Sequence, residues 1–211
     1  MKLKSLFATL LFATIAVSAS ASYSGAPTTP TKIDGTSYVM FSSYGITASN
    51  YSQFEDYYAI TSAEHLYGFA ALVNNGIEST AKAVLLTDIV VNENCLATIA
   101  AAGTPTLSWM PIGNDYSSHA FKGTIDGQGH TISGLYFNSP ISDNARNGGG
   151  MYVGLVGYGS SCTIKNIGIV DSYFYGYEYV GAIAGYITGS TSLVENCWNN
   201  STIRNENNMI A

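Results

Sequence analysis

Four tyrosines alternate along one short stretch: Tyr173, Tyr175, Tyr177 and Tyr179, interleaved with Phe174, Gly176, Glu178 and Val180. With Val180 facing inward, the strand period of two turns all four outward. A strip of this kind is suited to binding, because Tyr offers a flat apolar face and a hydroxyl. A glycan, or a protein on a host or cell surface, is the partner such a strip fits. The competing reading is stacking between repeats, as Tyr152 over Tyr179 suggests, and a bend at Gly176 would break the alternation.

Catalytic candidates are sparser. Asp126 and His130 flank Gln128-Gly129. Polysaccharide chemistry needs clustered carboxylates, for calcium or for acid–base work, with a Lys or Arg against the substrate acid. Asp126 stands alone, and Asp-Gly is a strong turn pair. Asp115, Asp143, Asp171, Glu178 and Glu195 are scattered and lack the spacing of a calcium loop. His65 sits at the boundary of an apolar helix face. The chain has no His-Glu-x-x-His, no Gly-x-Ser-x-Gly and no phosphate loop. The expectation is therefore a protein that is not an enzyme, with no catalytic residues, no metal ligands and no cofactor. Asn166 and Asn196 recur at turns, where Asn satisfies backbone groups and ladders with its neighbour; contact with a glycan is the functional alternative.

These residues are positioned by an internal repeat. Tyr152 to Tyr158 reads YVGLVGY and Tyr179 to Tyr186 reads YVGAIAGY, about 27 residues apart. Each is followed by a turn and a second similar run, TIKN at 163–166 and SLVEN at 192–196. Period and composition predict a coil of strands whose units cannot bury their apolar faces alone. Val153, Val156, Ile164, Ile167, Val180, Ile183 and Val194 are the expected inward ladder. The second run is one residue longer than the first, which predicts a bulge near Gly181–Ala184. Upstream, Thr61 to Gly76 reads as an amphipathic helix: Thr61 and Glu64 form a capping box, and Leu66, Phe69, Ala70 and Val73 make one stripe. It is expected to cover the open end of the first coil. Ala83 to Val91 reads as a strand, and 92–107 as a loop with an Ala-rich helical turn. Phe121 to Phe137 reads as two strands around the Asp126–Gly129 turn, with Ile132, Leu135 and Phe137 inward.

AITSAEHLYGFAALVNNG, AVLLTDIVV, WMPIG, FKGTIDGQGHTISGLYF and the two Tyr-Val-Gly repeats, in that order, resemble the GLUG-motif family of secreted bacterial proteins. The resemblance covers roughly 59–204. It implies an all-β fold, a right-handed parallel β-helix (solenoid) with an N-terminal capping α-helix. It implies architecture more than activity, as in surface proteins, adhesin-like proteins and non-catalytic parts of large peptidases.

Export fits the same picture. Lys2 and Lys4, an apolar run from Leu6 to Val17 and Ala19-Ser20-Ala21 make a secretory signal peptide over 1–21. At about 12 residues the run falls short of the ~20 of a membrane span. Residues 22–58 follow as an irregular lead-in, 59–107 as capping helix and first strands, and 108–211 as β-helix repeats stopping part-way along a coil. Removal of 1–21 takes two of eight basic residues and none of fourteen acidic ones, so the mature charge is 6 − 14 = −8. That balance, with Lys and Arg isolated, excludes nucleic acid as a partner and argues against an anionic membrane surface. Cys95, Cys162 and Cys197 are an odd count. Cys197 occupies the repeat position of Ile167, as a buried thiol would; the alternative is a disulfide from Cys162 to Cys197. The last coil, 193–203, is expected to leave an open edge that frays or self-associates, unless the remainder of a longer chain or a partner covers it. The expected function is a non-enzymatic secreted or cell-surface module, adhesin-like or a scaffold within a larger surface protein. The alternative is a fragment of a polysaccharide-degrading, pectate-lyase-like β-helix enzyme, which a surface cluster of two or three carboxylates beside a Lys or Arg would reveal.

Overall fold

Short β-branched and aromatic runs, each broken by a Gly, Asn or Asp, cannot make long strands, and the computed structural model, which describes residues 26–116 and 118–207, is built from short ones. In chain order they are β1 (Tyr57–Ile60), helix α1 (Ala63–Asn74), β2 (Lys82–Leu85), β3 (Ile89–Val90), helix α2 (Cys95–Ala100), β4 (Thr124–Asp126), β5 (Thr131–Ser133) and β6 (Tyr136–Asn138). β7 (Met151–Val153), β8 (Val156–Ser160), β9 (Thr163–Lys165), β10 (Gly168–Gly176), β11 (Glu178–Val180), β12 (Ala184–Thr188), β13 (Leu193–Glu195) and β14 (Trp198–Asn205) complete the series. One sheet has the order β1-β2-β4-β9-β13 and another the order β14-β10-β5-β3, with β6 also paired to β10; β11 pairs β7 and β12 pairs β8. Every one of these strand pairs is parallel.

This corrects the all-β, right-handed parallel β-helix expected from sequence. The structure is mixed, 18% helix and 34% strand, and its parallel strands are divided among several small sheets. The helix comes from segments without strand periodicity. Ser37–Tyr44 and Tyr51–Phe54 form 3-10 turns. The first is anchored by Asp34, whose carboxylate accepts from the N–H groups of Ser37 and Thr36, both at 2.7 Å. Those bonds, Ser37's foremost, hold its carboxyl well below the ordinary range.

α1 forms where its apolar stripe predicts, but the cap is Ser62, whose hydroxyl accepts from His65 N at 3.3 Å. Thr61, the expected cap, instead bonds the His65 ring at 3.0 Å. α1 packs against β1, with Phe69 edge-on to Tyr58 at a centroid distance of 6.0 Å. Its buried side, Leu66, Phe69 and Val73, belongs to the main core with Ile125, Ile132, Ile164, Ile169 and Phe174. Burying a side chain of this class contributes about 1.5–3 kcal/mol. The free edge of β1 is met by the preceding segment, where Ile33 N donates to Tyr57 O at 2.8 Å and Ala59 N to Thr31 O at 2.9 Å.

Val153, Val156, Ile164 and Ile167 are fully buried as expected, Val180 and Ile183 are half-buried, and Val194 is exposed on β13. The pairing offset changes between Val180↔Val153 and Ala184↔Val156, so the extra residue lies within 181–183. The expected strand over Ala83–Val91 is two strands with a corner at Leu86–Asp88, and Phe121–Phe137 holds three strands. All three cysteines are free: Cys95 and Cys162 are buried, and Cys197 packs half-buried against the core. The expected signal peptide lies outside the described residues. Among those residues no helix is long and apolar enough to cross a membrane.

Candidate functional site

The four alternating tyrosines do not share one surface. Tyr173 is buried, stacked on Tyr136 with centroids 6.0 Å apart in a cluster that includes Cys95 of α2. Tyr175 lies beneath the Arg204 guanidinium, 5.0 Å from the ring centroid, and its hydroxyl bonds Glu206. Tyr177 is half-buried between β10 and β11, and Tyr179 is exposed. Parity fails twice. β10 ends at Gly176 before β11 begins, and Tyr179 itself takes a left-handed conformation.

Tyr179 belongs to a different aromatic group. Its ring stacks on Tyr152 at 5.2 Å and 4°, and Tyr186 stacks on Tyr158 at 5.1 Å and 20°. The two columns touch edge to face, Tyr152 with Tyr158 at 5.3 Å and Tyr179 with Tyr186 at 5.4 Å. Tyr116 leans on the first column and the second at 6.3 and 6.4 Å. The parallel register of β11 on β7 and of β12 on β8 sets these stacks.

A second face is polar. After β4, β9 and β13 the chain turns through left-handed residues, Gln128, Asn166 and Asn196. Asn is suited to that conformation, because a short amide bonds locally. The side chains form a column: Asn196 Nδ2 donates to Asn166 Oδ1, and Asn166 Nδ2 to Asp126 Oδ1, each at 3.1 Å. Each amide nitrogen keeps a second N–H. Trp198, 51% exposed, closes this face. It pairs in register with Gly168, where a Cβ would lie 2.5 Å from the indole, so the ring lies flat over a residue without a side chain. Gln128, Gly129, Asn166, Asn196 and Trp198 line a hollow of about 350 Å3. A neighbouring hollow of about 340 Å3, bounded by Tyr44, Asn50, Gln53, Phe54 and His130, also reaches Gln128. The two share Gln128; one holds the rings of Tyr44 and Phe54, the other that of Trp198, and Asn50, Gln53, Gln128, Asn166 and Asn196 supply carboxamides.

The acidic residue nearest these hollows is occupied. Asp126 is almost fully buried; it accepts from Gln128 N and Asn166 at 3.1 Å and pairs with Lys165 at 3.1 Å. Burial pushes its pKa upward, but the bonds from Gln128, Asn166 and Lys165 together outweigh it and hold the carboxyl below its ordinary range. Lys165 shifts upward through the same bond. His130 Nδ1 lies 3.3 Å from Asp88, whose Oδ1 also accepts from Thr131 N at 2.8 Å. Ser118, His119 and Asp115 meet, but Ser118 and Asp115 approach the same ring nitrogen, at 2.6 and 3.6 Å, and Arg146 approaches both nitrogens. A nucleophile–base relay needs its two partners on opposite nitrogens. Among the described residues no group of three His, Cys, Asp or Glu could hold a metal ion.

Sequence reasoning paired Asn166 with Asn196 but missed Trp198 and Gln128. The signal was present: Trp198 aligns with Gly168 in the preceding repeat, a large ring beside an empty position. No protein-family model, no curated protein and no solved structure matches this chain.

Proposed function

We propose that the protein is a non-catalytic recognition module of a secreted or cell-surface protein, and that it binds a neutral glycan chain in the hollows that hold Tyr44 and Trp198. The observation that carries this reading is the two hollows that share Gln128, each lined by carboxamides and by an exposed aromatic ring, Tyr44 in one and Trp198 in the other. Sugar rings present apolar C–H faces that stack on indole and phenol, and hydroxyls that pair with amides. The acidic balance of the chain disfavours an acidic polysaccharide. The signal-peptide pattern and the resemblance to GLUG-motif proteins support an extracellular setting. The engagement of Asp126 by three donors supports binding over cleavage.

Affinity electrophoresis through gels holding a neutral β-glucan, a mannan or an acidic pectin tests this. Retardation by a neutral polysaccharide is expected, and Trp198→Ala should weaken it by about 30-fold, the effect of losing one ~2 kcal/mol anchor. Trp198 is half-exposed at the edge of its sheet, so the variant keeps its fold. No retardation in any gel, or unchanged retardation of the variant, refutes the proposal. Depolymerisation of the pectin would favour the lyase-like reading.

A further inference from the structure

The tyrosine columns have a geometry that the glycan reading does not use. We infer that Tyr152 and Tyr179 are an oxidative cross-linking site, at which a peroxide acting through a peroxidase joins the two rings as dityrosine. Their planes lie within 4° at 5.2 Å, and each ring touches the second column. Tyr116, Tyr179 and Tyr186 are exposed, so an oxidant reaches the group from solvent. The five contiguous rings can pass the resulting electron vacancy among themselves.

The proton has a destination. The Glu178 carboxylate raises the pKa of Tyr179, by its charge first and also by a hydrogen bond. Burial, followed by its tyrosine neighbours, raises that of Tyr152. Both residues are therefore neutral phenols near neutral pH, and each gives up an electron and a proton together, with Glu178 as the acceptor beside Tyr179. The two phenoxyl radicals then form one carbon–carbon bond between positions ortho to the oxygens. The hydrogens on those carbons move to the oxygens as the rings regain aromaticity. Two tyrosines lose two electrons and two protons, and one hydrogen peroxide takes up both and becomes two waters. Holding the partners in contact makes the coupling intramolecular, which favours it over encounter between dilute molecules.

Tyr38 and Tyr51 are an internal comparison, stacked at 4.9 Å and 15° in a separate cluster with Phe41, Phe54 and Tyr57. Tyr136 and Tyr173 are stacked and buried. The link would fasten β7 to β11.

Dilute protein is treated with a peroxidase and hydrogen peroxide, then followed by dityrosine fluorescence, intact mass and tandem mass spectrometry. The expected result is a two-hydrogen loss in the monomer and a linked peptide pair containing Tyr152 and Tyr179. Tyr152→Phe and, separately, Tyr179→Phe keep a ring for stacking and should remove that link, whereas Tyr38→Phe should leave it. Absence of the two-hydrogen loss, links confined to Tyr38–Tyr51 or formed only between molecules, or an undiminished yield in both variants would overturn the inference.

Discussion

Replacement of Asp126 by Ala removes the foot of the amide column. Three donors lose their acceptor: Gln128 N, Asn166 Nδ2 and Lys165 Nζ, each about 3.1 Å away. Bonds to a charged group contribute about 1.5–3 kcal/mol each when no water replaces them. Here water does so in part, because Lys165 is about one-third exposed. The net cost should therefore fall to about 2–3 kcal/mol, below the ~3–5 kcal/mol of a fully buried broken pair. For a chain of this size that lowers Tm by about 5–10 °C. Urea unfolding at pH 7, followed by circular dichroism, measures it. The sign of the pH dependence follows from the depressed carboxyl. Its folded pKa lies below the ~3.9 of an unfolded Asp, so its contribution is complete above about pH 4 and drains away as pH falls through the folded value. Wild type and variant should converge in stability on acidification. A difference below about 0.5 kcal/mol at pH 7, or one independent of pH, would refute the argument.

Two further outcomes follow from burial. Amide exchange should be faster in β13 and β14, where Leu193, Val194, Trp198 and Ile203 are exposed, than in β9 and the first half of β10, where Ile164 and Ile169 are fully buried; equal protection in deuterium-exchange mass spectrometry would contradict this. Iodoacetamide should modify native Cys197 before Cys95 and Cys162. Burial pushes Cys95 up to about 11, and Cys95 and Cys162 are almost wholly enclosed. A first adduct on Cys95, mapped by peptide mass, would show that α2 opens more readily than its packing allows.

What the sequence revealed depended on whether one local pattern controlled the outcome. The stripe Leu66, Phe69, Ala70, Val73 located α1 because helix period and core contact agree. The cap slipped by one residue because Thr61 and Ser62 can both cap, and the ring of His65 engaged Thr61. AVLLTDIVV is apolar on both sides of its corner, so its composition does not mark where β2 leaves one sheet and β3 enters another. The fold class was misread at 37–54, where helical turns rest on an Asp34 anchor. The Ala-rich helical turn expected within 92–107 forms as α2, and there Asp171 accepts from the N–H groups of Cys95 and Leu96. The latter bonds are long-range contacts that no window of residues contains. The tyrosine strip failed for related reasons: α2 packs over Tyr173, and alternation predicts facing only while the backbone stays extended, which Tyr179 does not. The Tyr152–Tyr179 stack was legible because two copies of one motif take the same register.

The amide column also has a sense. A carboxylate only accepts, so Asp126 compels Asn166 to turn its nitrogen inward and its oxygen outward, and Asn166 imposes the same orientation on Asn196. Every dipole in the column points one way, and its exposed terminus is a carbonyl oxygen in search of a donor. A lysine at the foot would reverse each amide in turn and leave an N–H there instead. A single acidic residue, buried two strands away, thereby writes the polarity of the surface that a ligand or another strand would meet.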